Sequence, residues 1–265
     1  MTDIANKINK FRYTLVNNFN NLDLGNFYSN LDSLKIIKST DEIYGKLSYY
    51  TNSYYNCEKN IIIIKKNKID DMVLYHELFH MASNITINNN IRDGFYINQG
   101  DINIGFGINE GYTEYLTRKY FGDNHTCTYE FEVTIAKNIE DVIENNKMIS
   151  FYLRGELESL INELSKYAYI NDVMRFINNV DYVYHHLYDE ERESKIINIV
   201  SKINIFLVKI KIKKYLDIYD LDYLKENKDE LLKIKYNNQY FSKFNAIQDE
   251  NFFNYIFSKF KSKSK

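Results

Sequence analysis

The stretch from Tyr75 to Met81 contains the pattern His-Glu-x-x-His, formed by His76, Glu77 and His80. Two histidines four residues apart lie on the same face of a helix, so both imidazole rings can bind one metal ion. The glutamate beside the first histidine can then reach a water molecule on that ion. This spacing of residue types predicts the geometry of a zinc hydrolase.

The residues around this pattern predict a helix. Asp70 and Asp71 provide a start signal, and Ser83-Asn84 provides a stop signal. Apolar residues recur between them at helical spacing, which predicts a face packed against a core: Leu74, Leu78, Met81 and Ile85. Both histidines lie off that face. Chance alone would produce the His-Glu-x-x-His pattern in roughly one chain in a hundred of this composition, which makes the pattern a moderate signal. The predicted helix around the pattern strengthens the case for a metal site.

A chain of 265 residues with 45% hydrophobic and 26% charged residues is typical of a globular protein. Its net charge of −2 gives no general attraction to nucleic acid or anionic lipid, so we expect a peptide-like or small substrate and no nucleic-acid partner. Neither a signal peptide nor an apolar run of about 18 residues is visible, which predicts a cytoplasmic protein without a membrane span. Cys57 and Cys127 are expected to be free thiols. The oligomeric state stays open.

The first half of the chain predicts a mixture of helix and strand. Residues 1–33 predict a short helix, and strands separated by turn-forming residues follow at 34–38, 43–51 and 60–66. The run from Ile61 to Ile64 is too apolar for an exposed strand, so it should be central in a small sheet packed on the His76 helix. Five of the nine glycines then fall between Gly94 and Gly111, where we expect a hairpin that is either plain surface or part of the substrate site.

The second half of the chain is predicted to be helical. Asn109 is expected to cap a helix from Glu110 to Phe121. Apolar residues at threes and fours predict further core-facing helices at 126–145, 149–169, 171–188 and 190–215. The predicted fold class is α+β, with a small N-terminal sheet packed on the active-site helix. Residues 1–122 would form the core of the site, and residues 123–265 a helical lobe that completes the fold and the cleft.

A catalytic zinc ion takes three protein ligands, so a third donor must accompany the two histidines. Glu110 opens a predicted helix 30 residues past His80, and Glu114 follows one turn later on the same face. One carboxylate could bind the ion while the other hydrogen-bonds a ligand histidine. Alternatively, both only complement the positive end of the helix dipole, and local chemistry does not decide between these interpretations. Other candidate ligands are the cysteines, further acidic residues, and His125, His185 and His186.

These motifs together resemble the gluzincin clan of zinc metallopeptidases, which contains the thermolysin-like and aminopeptidase-like enzymes. The first is His76-Glu77-Leu78-Phe79-His80, and the second runs from Ile108 to Leu116 with the sequence INEGYTEYL. In that clan the third ligand is the glutamate of an Asn-Glu motif. The resemblance therefore implies a zincin-like fold in which both histidines and Glu110 hold one zinc ion, Glu77 is the general base, and Glu114 orients a ligand histidine from outside the ligand set.

The resemblance covers roughly residues 60–122 and implies hydrolysis of peptide bonds. An aminopeptidase-type Gly-x-Met-Glu-Asn motif is missing upstream, which favours an endopeptidase over an exopeptidase. The metzincin pattern fails because no histidine occurs between Met81 and Asn90. The donor that would stabilise the oxyanion of the reaction is not fixed by any motif, and Tyr184 and His185 are favoured over Tyr152.

Two other interpretations compete with a peptidase. The first is a catalytically silent zincin scaffold that acts as a binding or regulatory protein, against which the intact set of candidate site residues argues. The second is a structural or nucleic-acid-associated helical protein in which the motif is fortuitous. That interpretation predicts no stoichiometric zinc. Lys-rich segments such as 209–214 are expected to be solvated helix faces.

Overall fold

The computed structural model describes residues 2–38, 53–64, 71–87, 90–122 and 129–260, and it is 67% helical with small sheets. The predicted α+β class is therefore confirmed. The predicted strand at 43–51, together with His125, Cys127 and the basic residues 261–265, lies outside the described ranges. None of the helices within those ranges is long and apolar enough to cross a membrane.

In chain order, two of the described helices precede the strands, one lies among the strands, and the others follow them. The described helices are α1 (Thr2–Asn18), α2 (Gly25–Ser33), α3 (Asp71–Ser83), α4 (Phe106–Phe121), α5 (Glu130–Ile143), α6 (Asn145–Leu153), α7 (Leu157–Leu164), α8 (Ile170–His186), α9 (Glu193–Tyr215), α10 (Leu221–Glu226), α11 (Lys228–Leu231), α12 (Ser242–Asn245) and α13 (Glu250–Ser258). The described strands are β1 (Lys35–Lys38), β2 (Ser53–Asn56), β3 (Ile61–Ile64), β4 (Asn84–Ile87), β5 (Asn90–Asp93), β6 (Tyr96–Gln99) and β7 (Ile102–Ile104). Short 3-10 turns span Glu190–Arg192 and Gln239–Phe241.

The strands form two small sheets. In the first sheet the order is β1-β3-β2, with β1 parallel and β2 antiparallel to β3. The four-isoleucine strand is thus central, as predicted, and it buries Ile62 and Ile64. The second sheet has the order β4-β5-β6-β7, in which β4-β5 and β5-β6 are antiparallel pairs. It contains the predicted glycine-flanked hairpin as β6 and β7.

Helix α3 carries the His-Glu-x-x-His pattern and has the predicted limits, Asp71 and Ser83. Its apolar residues are buried, and aromatic rings fix its position. Phe79 packs edge-on against Phe11 of α1 at a centroid distance of 4.9 Å, and Tyr75 stacks on Phe121 of α4 at 3.9 Å. Because these rings form one cluster against a single face of α3, packing in the core determines the orientation of its histidines. The predicted apolar stripe ends before Ile85, which lies in β4.

The chain divides into two compact units, each assembled from three segments. Of the described residues, unit 1 contains those within 1–103, 112–128 and 149–157, and unit 2 those within 104–111, 129–148 and 158–265. The aromatic cluster around α3 belongs to unit 1. Unit 2 has its own core, in which the ring of Phe131 stacks on that of Tyr236 at 5.8 Å, and the Tyr236 hydroxyl donates a 2.8 Å hydrogen bond to Asn204.

Two predicted helix limits are wrong, each for a physical reason. The predicted helix at 149–169 is broken into α6 and α7, because Gly155 adopts a left-handed conformation with φ of 66°. A Cβ at Gly155 would also lie 2.8 Å from the Ile85 side chain. Helix α4 begins at Phe106 rather than at Glu110, so Asn109 lies in its first turn and is not its cap.

Candidate metal centre

Helices α3 and α4 bring the three predicted ligands together. One ligand atom from each of His76, His80 and Glu110 lies within 4.8 Å of the others. Both histidines are buried, whereas Glu110 is partly exposed. Two imidazole nitrogens and one carboxylate oxygen form a donor set that zinc uses in catalytic sites, where a fourth position is kept for water or substrate.

Each histidine of this group has a carboxylate against its Nδ1 atom. His76 Nδ1 lies 3.1 Å from Oε2 of Glu114, and His80 Nδ1 lies 3.0 Å from Oδ2 of Asp93. Glu114 is predicted from its position one turn after Glu110, while nothing in the sequence indicates Asp93. Because ionised carboxylates only accept hydrogen bonds, both Nδ1 atoms must donate, which fixes the tautomer of each ring.

The fixed tautomers leave a lone pair on each Nε2 atom, and these two atoms lie 3.1 Å apart. Two lone pairs at that distance repel one another, so the two atoms need either a shared proton or a metal cation between them. In a tetrahedral zinc site with Zn–N bonds of about 2.0–2.1 Å, two nitrogen ligands lie about 3.3–3.4 Å apart. The geometry of His76 and His80 therefore fits a zinc ion closely.

The electrostatics of Glu114 keep it ionised in this role. Burial alone would raise its pKa, but the hydrogen bond and charge of His76 and those of Arg118 outweigh burial and lower the pKa below its ordinary value. Arg118 Nε donates to Glu114 Oε1 at 2.8 Å. The carboxylate therefore has one oxygen for the guanidinium and one for the ligand histidine, an arrangement that raises the basicity of the ligand ring.

Glu77, the candidate general base, is held by a residue that the sequence does not reveal. Ser53 Oγ donates a 2.6 Å hydrogen bond to Glu77 Oε1, and both side chains are buried. Ser53 lies on β2, the outer one of the described strands on that side of the first sheet, and its side chains alternate between buried and exposed positions. The serine thus fixes one carboxylate oxygen of Glu77.

The first turn of α4, which precedes Glu110, is capped by a distant side chain. The backbone N–H groups of Gly105 and Gly107 donate to the two carboxylate oxygens of Asp181 on α8, at 2.8 and 2.9 Å. Burial raises the pKa of Asp181, and these two N–H groups oppose that shift. This remote cap explains why α4 can start three residues before the predicted cap Asn109.

Close packing around Gly111 accompanies a buried carboxyl group, that of Glu132, near the partly exposed Glu110. A Cβ at Gly111 would lie 2.3 Å from the carbonyl oxygen of Glu132, so α4 and α5 can approach this closely only with glycine at that position. Burial raises the pKa of Glu132 to about 7, and the negative charges of Glu110 and Glu130 add to this effect. Near neutral pH Glu132 is therefore only partly ionised, which reduces its repulsion of Glu110.

The candidate oxyanion donors fall into two groups. The rings of Tyr184 and His185 pack on Phe106, the first residue of α4, at centroid distances of 6.1 and 5.4 Å. The Tyr152 side chain is fully buried, and its hydroxyl lies 2.6 Å from Thr113 Oγ1. These contacts place Tyr184 and His185 beside the start of the Glu110 helix, whereas Tyr152 is a core residue.

The remaining ligand candidates in the described residues are not part of the group. Both ring nitrogens of His186 lie 3.0 Å from Arg192 Nη1, and a guanidinium is not compatible with a bound cation at that ring. Cys57 is a free, half-buried thiol whose pKa is raised by burial to about 11, and it is not part of the ligand group.

The sequence predicted the grouping of His76, His80 and Glu110, the histidines from their local spacing and Glu110 from the resemblance, but it did not indicate Ser53, Asp93 or Asp181. Each of these last three acts through a contact between elements that are separate in the chain. Comparisons with protein-family models, with curated proteins and with solved structures found no match to this chain.

Proposed function

We propose that this protein is a zinc-dependent metallopeptidase with a zincin-like fold, and that it acts as an endopeptidase. The observation that supports this most strongly is the convergence of His76, His80 and Glu110, whose ligand atoms lie within 4.8 Å of one another. The facing Nε2 lone pairs, 3.1 Å apart, add the electrostatic reason for a cation at that point.

The residues around the ion would prepare it for hydrolysis. Glu114 and Asp93 hold the two imidazole rings in the tautomer that leaves Nε2 available. A zinc ion bound there would lower the pKa of a bound water molecule and polarise a substrate carbonyl group. The partly exposed Glu110 completes the ligand set and leaves one position for water and substrate.

Glu77 is the residue that moves protons in this proposal. It lies next to His76 on α3, and Ser53 holds its Oε1 atom, so Oε2 is the oxygen that takes the proton from the attacking water. The protonated carboxyl group then delivers that proton to the departing amine. Tyr184 or His185 would donate a hydrogen bond to the tetrahedral oxyanion, a role whose loss typically lowers turnover about 10²–10³-fold.

Metal content tests the first half of the proposal. We expect about one zinc ion per purified chain, and a large loss of zinc from both His80→Ala and Glu110→Ala. His185→Ala is the matched histidine control and should keep its zinc, because His185 is not part of the ligand group. A wild-type protein that stays free of zinc in metal-replete buffer, or a Glu110→Ala variant that binds zinc normally, would refute the three-ligand site.

Peptidase activity tests the second half, with a quenched fluorogenic peptide library as substrate. Glu77→Gln should keep its zinc and lose activity by about 10²–10⁴-fold, because a glutamine of the same shape cannot accept the proton. Activity that persists in this variant would contradict the role of Glu77. Zinc binding without hydrolysis of any library member would instead favour the silent scaffold that binds or regulates a partner.

A further inference from the structure

Unit 2 contains a groove between helices α8 and α9 that no part of the proposed reaction uses. Its volume is about 660 Å³, within the range of ligand-binding sites. Phe176 from α8 and Phe206 from α9 meet at its floor, and Tyr255 and Phe260 contribute to its lining from the end of the chain. None of the candidate metal ligands lines this groove, so its function does not depend on the peptidase proposal.

The α9 side of the groove carries a row of positive charges. Lys202, Lys209 and Lys213 follow at spacings of seven and four residues, which places them on one helix face about 10 Å and about 6 Å apart along the axis. Neither Lys202 nor Lys209 forms an ion pair with any residue that the structure describes. Apolar side chains alternate with the lysines along this face: Ile205, Phe206 and Ile210.

The α8 side adds to this positive balance. Arg175 lines the groove and pairs with Asp172 at 3.3 Å, and Asp172 is the only acidic residue among the described lining residues. Four cationic side chains and one carboxylate therefore line the groove. The wall can accept several negative charges spread along its length.

The aromatic floor is suited to side chains rather than to stacked bases. The rings of Phe176 and Phe206 already stack on each other at 4.3 Å, and both residues are buried. Little ring face is left for a nucleobase, whereas an aliphatic or aromatic side chain can contact the ring edges. The chain's net charge of −2 also gives no long-range attraction to a nucleic acid.

We propose that this groove binds an extended acidic peptide segment of a partner protein. The side chains of an extended chain alternate between two faces and advance about 3.3 Å per residue, so acidic residues at every second position lie on one face about 7 Å apart, close to the spacing of Lys209 and Lys213. Apolar residues between them would contact the floor. The protein's own residues 261–265 do not fit, because they follow Phe260 with three lysines and so have the same charge sign as the wall.

Fluorescence anisotropy of the full-length protein with a labelled peptide tests this proposal. The probe contains Asp-Phe-Asp-Leu-Asp-Phe-Asp, and the control probe has asparagine at each aspartate. We expect binding of the acidic probe only, and a loss of about tenfold or more in affinity for the variant with both Lys202→Glu and Lys209→Glu. Lys195→Glu, the same charge change on α9 outside the groove, should bind like wild type.

Three results would overturn the proposal. The first is the absence of binding to the acidic probe, and the second is an equal loss of affinity in the Lys195→Glu control. The third is binding of an oligouridine RNA that depends on Lys202 while the acidic peptide fails to bind. If the double variant unfolds early in a thermal melt, the single Lys202→Glu change at an exposed position gives the same comparison without disturbing the core.

Discussion

Replacing Asp93 by asparagine should weaken zinc binding although Asp93 is not a ligand. Its Oδ1 accepts hydrogen bonds from His80 Nδ1 at 3.2 Å and from Ser83 Oγ at 3.1 Å, and its Oδ2 lies 3.0 Å from His80 Nδ1. Asparagine offers only one acceptor. If its oxygen keeps the serine, its amide group faces His80 Nδ1 as a donor and favours the tautomer with the proton on Nε2, which removes the lone pair that would bind the metal.

The expected loss of zinc affinity is moderate, because Asp93→Asn disturbs only one proposed ligand, His80. Loss of a residue that orients a metal ligand typically costs about 10–100-fold in affinity, equivalent to about 1.4–2.7 kcal/mol. Competition with a chromophoric chelator at neutral pH measures it directly. Urea unfolding of the metal-free protein, measured in parallel, separates weaker metal binding from a weaker fold.

Asp101→Asn provides the control, because Asp101 is an exposed aspartate in the turn between β6 and β7. It removes the same charge from the same sheet without touching His80. Equal zinc affinity in wild type and Asp93→Asn would refute the tautomer argument. An equal loss in Asp101→Asn would show that general charge, rather than the Asp93 contact, is responsible.

Three further predictions concern the supports of the site and the free thiol. Asp181→Ala should lower the free energy of unfolding in urea by about 2–4 kcal/mol, since two buried N–H groups lose their acceptor, and Asp181→Asn should lose less because it keeps one acceptor. Gly111→Ala usually stabilises a helix, but here it should destabilise the protein by about 1–3 kcal/mol, because the new Cβ would overlap the carbonyl oxygen of Glu132. Equal or higher stability of this variant in thermal melts would contradict the close packing at Gly111. In a Cys127→Ser variant, Cys57 should react with a thiol reagent about 10–100-fold more slowly than an ordinary thiol at neutral pH, because its raised pKa keeps it protonated. Its rate should rise as pH increases towards about 11, and a rate that levels off near pH 9 would show an ordinary thiol.

The parts of the fold that were predictable from the sequence are those fixed by neighbouring residues. The limits of α3 follow from Asp71 and Ser83, and the central position of β3 follows from its four isoleucines. The meeting of Glu110 with the two histidines was expected only from a pair of motifs, because helical spacing alone could not exclude a simple dipole effect. Local patterns thus determine which elements form and which faces are buried.

The parts that were not predictable depend on distant residues. The start of α4 is set by Asp181, and Ser53 and Asp93 reach the site from strands whose sequences resemble any other strand. The break between α6 and α7 depends on a glycine that a helical period hides. Asp181, Ser53 and Asp93 each bind a polar group from a distant part of the chain, and Gly155 leaves room for the side chain of Ile85. No local sequence pattern indicates these contacts.

The remote cap of α4 also has a consequence for the order of folding. Gly105 and Gly107 precede their acceptor, Asp181, by 76 and 74 residues. During synthesis the first turn of α4 therefore lacks its acceptor until helix α8 has emerged, and closing so long a loop is slow compared with forming a helix. Helix α3, with its local start and stop signals, can form long before. We therefore expect the carboxylate of Glu110 to become ordered late, so that the proposed metal site is completed only near the end of folding.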